Sequence, residues 1–217
     1  MTWNDRYRKA IASGEKVFSE EPASSVVSAL DTVAANIAPQ DHQPCAVDVG
    51  AGEGRHSREL VRRGYKVVAL EPSEAAVEHA NNNIIDETTD HEIRWIAADM
   101  RDFKPTQKVD LALLSFMHQR EFSILTQLDH LDSWLNPGGW LVFVGHSRAQ
   151  LGLDVGGPKE PERLWDPEEL GTALVNMGYH VERAENVTRE DIEKVEHAHH
   201  KDASIDAVVV AQKPVAR

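Results

Sequence analysis

The sequence predicts a doubly wound α/β fold in a single domain of 217 residues, with a seven-stranded sheet that is mostly parallel and an antiparallel last strand. Three observations predict it. Five apolar strand segments alternate with helix-compatible stretches, the pattern of a parallel sheet with crossover helices. Two further strand segments near the end read as a β-hairpin. The first strand runs straight into three spaced glycines and then a helix, an arrangement that lets backbone approach a bound nucleotide closely.

Each element has its own signal. Val26, Leu30, Val33 and Ile37 lie at helical spacing within 23–37, with Ser24 and Ser25 available as caps. Gln40 to Pro44 is a polar connector into a strand over Cys45–Val49. Gly50, Gly52 and Gly54 follow, and Arg55 to Arg63 is helix-compatible. The second strand, Lys66–Leu70, leads through Glu71-Pro72-Ser73 into a helix reaching about Ile84, with Ala76, Val77, Ala80 and Ile84 on one face. A polar break over Asp86–His91 precedes the third strand, Ile93–Ala97. Val109 to Phe116 is almost unbroken apolar residue, as a central parallel strand buried on both faces requires. A helix from about Glu121 to Trp134 stops at Asn136-Pro137-Gly138-Gly139, and Trp140–Val144 is the fifth strand. Glycines and prolines mark Gln150–Arg163 as a long loop over the sheet edge, and such loops are often functional. Asp166-Pro167 caps a helix running to Met177. Tyr179–Ala184 and Ile205–Ala211 are the last two strands.

Composition narrows the function. Hydrophobic residues make up 41% and charged residues 27%, ordinary for a soluble globular protein. A formal net charge of −13 argues against a nucleic-acid groove, which needs clustered Lys and Arg, and favours small-molecule partners. Cys45 is the only cysteine, so neither a disulfide framework nor a thiolate metal cluster is expected. The opening MTWNDRYRKA has no apolar signal core, and no segment approaches the ~20 apolar residues of a membrane span. The expectation is a cytoplasmic protein.

The candidate site collects at strand ends, where open α/β sheets bind ligands. A dinucleotide loop would read G-x-G-x-x-G, but its third glycine would fall at position 55, which is Arg55. The pattern present is G-x-G-x-G preceded by Asp48. Glu71 lies 71 − 50 = 21 residues after Gly50, where an acidic side chain can accept hydrogen bonds from both ribose hydroxyls. Its alternative role is to complement a helix dipole. Asp99 follows the third strand and can accept from an adenine amine, with Met100 offering an apolar contact to the ring; the alternative is a turn cap. Ser115 and Phe116 form the floor of the expected cleft. His118 and His146 end neighbouring strands and are candidate general bases, or else packed structural residues. His197, His199 and His200, beside Glu196 and Asp202, have ligand chemistry, but no second cluster supports a metal site, so a solvated loop is expected.

Together the glycine loop, the acidic strand end, Asp99, the apolar fourth strand and N-P-G-G resemble class I S-adenosylmethionine (SAM) methyltransferases across most of the chain. WNDRYRKA (Trp3–Ala10) and VFSEEPASSVV (Val17–Val27) are similar to the opening of small bacterial methyltransferases related to the tellurite-resistance and thiopurine groups. GEGRHS (Gly52–Ser57), RRGYKVVALEPS (Arg62–Ser73), VGGPKEPERLWDPEEL (Val155–Leu170) and IDAVVVAQKP (Ile205–Pro214) fit that branch too. The resemblance implies a Rossmann-like sheet, SAM as cofactor, and residues 1–40 as a helical cap over the cofactor. It puts Phe18, and Tyr7 with it, near the methionine moiety. The implied cofactor residues are Phe18, Asp48, Gly50, Ala51, Gly52, Glu71, Pro72, Asp99, Met100, Ser115 and Phe116. Many relatives have Asp at position 71, and Glu71-Pro72 is the clearest departure. The implied reaction is in-line methyl transfer to a small-molecule acceptor, which the resemblance does not identify. Two alternatives remain: a SAM-binding protein without turnover, and an NAD(P)-dependent oxidoreductase, disfavoured by Arg55.

Overall fold

In a computed structural model, which describes residues 2–37, 41–82, 87–118, 123–189 and 203–215, one seven-stranded sheet organises the chain. The strands are β1 (Cys45–Val49), β2 (Lys66–Glu71), β3 (Ile93–Ala97), β4 (Val109–Ser115), β5 (Leu135–His146), β6 (His180–Arg189) and β7 (Ser204–Gln212). Their order is β3-β2-β1-β4-β5-β7-β6. β1 pairs in parallel with β2 on one side and β4 on the other, so the winding reverses between them. That reversal opens a crevice beyond the carboxyl ends of β1 and β4. β7 runs antiparallel to both β5 and β6, as the predicted hairpin requires.

The helices are α1 (Trp3–Ser13), α2 (Ser24–Asn36), α3 (Arg55–Arg62), α4 (Glu74–Asn82), the short α5 (Glu87–Asp90), α6 (Leu128–Trp134) and α7 (Pro167–Asn176). Every residue of β4 is buried, because both faces of the sheet are covered. Val26, Leu30 and Val33 of α2 and Leu60 of α3 pack with Leu111, Leu113, Trp140, Val142 and Val208 on one face. Leu128, Leu131 and Trp134 of α6 and Leu170 and Leu174 of α7 pack with Ala112, Leu114, Leu141, Phe143 and Val209 on the other. α1 begins with a capping box, in which Asp5 Nα–H donates to Thr2 Oγ1 at 3.1 Å and Thr2 Nα–H to Asp5 Oδ2 at 3.0 Å.

Three boundaries differ from the sequence expectation. β5 starts at Leu135, so Asn136-Pro137-Gly138-Gly139 is the opening of a strand; the ladder shifts register between Val109 and Leu111 to take in the extra residues. β6 continues past Ala184 to Arg189, held by pairing with the whole of β7 although its own side chains are largely polar. α6 starts at Leu128, after a 3₁₀ turn over Ile124–Gln127. The predicted start of that helix at Glu121, the end of another at Ile84, and the 196–202 histidine segment lie outside the described residues.

Candidate active site

The glycine turn is built where β1 ends. The Nα–H groups of Gly50 and Ala51 both donate to the Leu70 carbonyl, at 2.8 and 3.1 Å, which draws the turn against the end of β2. Gly50 and Gly52 have φ of 73° and 57°, the left-handed region that favours glycine. Space excludes a side chain as well. A Cβ on Gly52 would lie 2.8 Å from the Tyr7 hydroxyl, and one on Gly50 would lie 2.9 Å from Met117 Cγ.

Two buried carboxylates flank the turn. Glu71 accepts from Gly52 Nα–H at 3.0 Å and from Ser73 Nα–H at 2.9 Å, one bond to each oxygen. A carboxylate has about four acceptor positions, so each oxygen keeps one. Burial raises the Glu71 pKa, and the two amide bonds oppose that rise. Asp48 is fully buried. Ser57 Oγ–H donates to its Oδ2 at 2.6 Å, tying β1 to α3, while Oδ1 has no partner among the described residues. Burial pushes the Asp48 pKa up to about 7. Ala51 is buried beside the turn, and Pro72 is exposed.

The N-terminal segment folds over this turn. Asn4 Oδ1 accepts from Ser73 Oγ–H at 2.9 Å and from Ala75 Nα–H at 3.1 Å, fastening α1 to the start of α4. The Glu53 carboxylate accepts from Val17 Nα–H at 3.3 Å and Phe18 Nα–H at 3.1 Å. Phe18 stands 5.9 Å from the Trp3 ring, with the Arg55 guanidinium 5.5 Å away. Tyr7 is buried, and burial together with the negative charge of Glu71 raises its hydroxyl pKa.

Beyond β3, Asp99 holds Arg101 by a two-pronged pair, Arg101 Nε–H to Oδ1 at 2.9 Å and Nη2–H to Oδ2 at 2.6 Å. Arg101 Nα–H also donates to Oδ1, so Oδ2 alone keeps an acceptor position. Hydrogen bonding to Arg101 lowers the Asp99 pKa. Met100 is 2% exposed and packs in the core on the α6 face.

The carboxyl ends of β4 and β5 meet the long loop. His118 Nδ1–H donates to the Arg163 carbonyl at 2.6 Å, and His118 Nε2 accepts from His146 Nα–H at 2.9 Å. Both ring nitrogens are therefore engaged, and burial lowers the ring pKa to about 4. Arg163 returns the contact, its Nε–H and Nη2–H donating to the His118 carbonyl at 2.9 and 2.6 Å. His146 differs. Its Nδ1 has no hydrogen-bond partner among the described residues and lies 4.0 Å from Asp206 Oδ1. Burial and the nearby His118 and Arg189 lower its pKa to about 3. Gly157 packs on its imidazole so closely that a Cβ there would come within 2.6 Å.

Phe116, at φ 53°, is the one non-glycine residue in the left-handed region among the described residues, a strained backbone of the kind that clusters at ligand sites. Its ring lies 6.2 Å from His56 and 5.3 Å from His146. Ser115 is bonded to His56 Nδ1 at 2.8 Å, and His56 Nε2 accepts from Ala23 Nα–H at 3.3 Å. These assignments make His56 neutral, and burial lowers its pKa further. The structure thus brings Asp48, Gly50, Gly52, Glu71, Tyr7 and Phe18 around one turn, and Ser115, Phe116 and His146 around the neighbouring strand ends. Sequence reasoning missed Glu53, His56, Arg163, Arg189 and Asp206. Glu53 and His56 lie inside the glycine-loop motif and could have been found there. The other three come together only through the late hairpin and the long loop.

Residues 46–139 match the family model described as a methyltransferase domain. Among curated proteins, none matches the chain in sequence. Solved structures do match in fold. A SAM-dependent methyltransferase from Mesorhizobium loti is 19% identical, with 90% of this chain and 100% of that one covered and a TM-score of 0.65. A Burkholderia thailandensis 1,6-didemethyltoxoflavin-N1-methyltransferase, with bound 1,6-didemethyltoxoflavin and S-adenosylhomocysteine, is 17% identical over 97% of this chain and 87% of that one, at a TM-score of 0.63. TehB from Haemophilus influenzae is 19% identical over 86% of this chain and 62% of that one, at 0.62. At these identities the likeness is one of fold.

Proposed function

We propose that this chain, in which residues 46–139 match a methyltransferase domain and whose fold is like that of SAM-dependent methyltransferases, transfers the sulfonium methyl of SAM to a small-molecule acceptor. The observation that carries the reading is Glu71. It locks the glycine turn through two amides and keeps one acceptor position on each oxygen, at the end of β2 beside β1, where the strand order reverses. That suits the two hydroxyls of a ribose. Gly50 and Gly52 let the cofactor approach the backbone, and the α1 segment, with Tyr7 and Phe18, covers its methionine end. Asp99 keeps the acceptor position on Oδ2 for an adenine amine. Asp48 supports the site through Ser57 and α3.

SAM supplies an electrophilic methyl already activated by its positive sulfur. The protein's work is then to hold donor and acceptor in line and exclude water. Where the acceptor atom carries a proton, His146 is the better placed of the two strand-end histidines, because His118 already uses both ring nitrogens. His118 instead anchors the loop through Arg163. No described helix is long and apolar enough to cross a membrane.

Glu71→Ala tests the reading by calorimetric titration with SAM. Loss of charge-assisted hydrogen bonds, each worth ~1.5–3 kcal/mol, should weaken binding by at least about tenfold while the chain stays folded. Unchanged affinity would place the cofactor elsewhere.

A further inference from the structure

The protein is strongly acidic, yet cationic groups converge beside the strand ends where the acceptor would lie. The Arg189 guanidinium, at the end of β6, lies 5.0 Å from the Phe116 ring centroid, and that of Arg55, at the start of α3, lies 5.8 Å from the same ring. Lys159, on the long loop, donates to the Leu153 and Val155 carbonyls. Burial lowers the pKa of both His146 and His56, and the positive charges of Arg189 near both rings, of Arg55 near His56 and of Lys159 near His146 add to that.

Arg189 is the informative member. It is 8% exposed, and burying a guanidinium requires a reason. Asp206 supplies part of one. It is fully buried, accepts from Ser25 Oγ–H at 2.7 Å through Oδ2, and meets Arg189 Nε through the same oxygen at 2.9 Å. That contact is an ion pair in which Nε makes no hydrogen bond, and among the described residues no hydrogen bond takes the two Nη groups. A guanidinium so held is oriented for a second carboxylate, which it can bind with two parallel hydrogen bonds. Phe116, half-buried with the two guanidinium groups 5.0 and 5.8 Å from its ring and held in a strained backbone, offers an apolar ring next to that fork.

Resting on the methyltransferase reading, we propose that the acceptor is a small planar molecule bearing a carboxylate. The carboxylate binds the Nη edge of Arg189 and the ring lies along Phe116, next to His146. Asp206 is a positioning residue that fixes the guanidinium. Net acidity then serves selectivity: it repels anions generally, except where this local positive patch admits one.

The test uses the full chain saturated with S-adenosylhomocysteine and titrated with benzoate, benzamide and acetate as probes. Benzoate should bind about tenfold or more tightly than benzamide, which has the same shape without the charge, and more tightly than acetate, which lacks the ring. Arg189→Gln should remove the preference of benzoate over benzamide without changing S-adenosylhomocysteine affinity. Because that variant leaves Asp206 buried without its partner, the double variant Arg189→Gln/Asp206→Asn is measured beside it and should lose the same preference. Equal binding of benzoate and benzamide to the wild type, no benzoate binding, or a preference that survives in the double variant would overturn the proposal. Failure of S-adenosylhomocysteine to bind the wild type would instead remove the methyltransferase reading beneath it.

Discussion

At the scale of single residues, the two strand-end histidines separate by their hydrogen bonds. His118 is saturated, donating to the Arg163 carbonyl and accepting from His146 Nα–H, whereas the buried His146 Nδ1 makes no hydrogen bond among the described residues and lies 4.0 Å from Asp206 Oδ1. His146→Asn should therefore lower single-turnover methyl transfer when the acceptor atom carries a proton, by less than the ~10²–10⁴-fold of a base tuned to neutral pH because its pKa is lowered to about 3, with SAM affinity nearly unchanged. His118→Asn should act through the loop, raising the KM for the acceptor more than it lowers kcat. The reverse pattern would exchange the two roles. Asp48 gives a second prediction, in pH. Its folded pKa, about 7, is raised above the ordinary aspartate value of 3.8, so the native state holds a proton that the unfolded chain has released. Its contribution to stability is full below about pH 3.8 and is lost as pH rises through about 7. Asp48→Asn should accordingly be more stable than the wild type at pH 8, and the gap should narrow by pH 5. His118 and His146, with lowered pKa values, pull the other way as pH falls, but equally in both proteins. Denaturant unfolding at the two pH values measures the gap, and a gap independent of pH would contradict the account. Asp48 and Glu71 were legible in the sequence because both sit at fixed offsets from the glycines. Arg189 and Asp206 were not, since only the pairing of β6 with β7 and β7 with β5 brings them to Phe116.

At the scale of elements, the N-terminal helix shows how a polar segment is fastened against the start of α4. Its composition gave no apolar stripe to read, and its signals are the Thr2–Asp5 capping box and Gly14 in the left-handed conformation at its end. What fastens it is Asn4, whose one oxygen takes both Ser73 Oγ–H and Ala75 Nα–H. Asn4→Ala should cost ~0.5–2 kcal/mol, the range for a lost helix cap, and release α1 from α4. Hydrogen exchange should then show faster exchange over 3–13 with little change in the central strands; equal protection would mean that aromatic packing alone holds the helix. Elsewhere, strands read well where apolar residues dictated them, as in β1, β3 and β4. They read poorly where pairing decided. Asn136-Pro137-Gly138-Gly139 has turn chemistry and still opens β5, and polar Glu185, Asn186 and Thr188 extend β6 because β7 offers them a ladder.

For the whole molecule, the sheet order puts every part of the proposed site at one edge. The reversal between β1 and β4 opens the crevice, and from the far edge of the sheet β6 ends in Arg189, whose guanidinium lies 5.0 Å from the Phe116 ring centroid at the end of β4. The fold was legible because alternating strands and helices, right-handed crossovers and a closing hairpin leave few arrangements. The identity of the acceptor was not, because it depends on side chains that only the assembled sheet brings together. The central claim is that this crevice binds SAM. Thermal unfolding of the purified chain with SAM, with S-adenosylhomocysteine and with NAD, each in large excess, tests it most directly. A ligand at about 100 times its Kd stabilises the native state by ~2.7 kcal/mol, enough to raise Tm measurably. The account predicts a raised Tm with SAM and S-adenosylhomocysteine and none with NAD. A rise with NAD and none with SAM would contradict it.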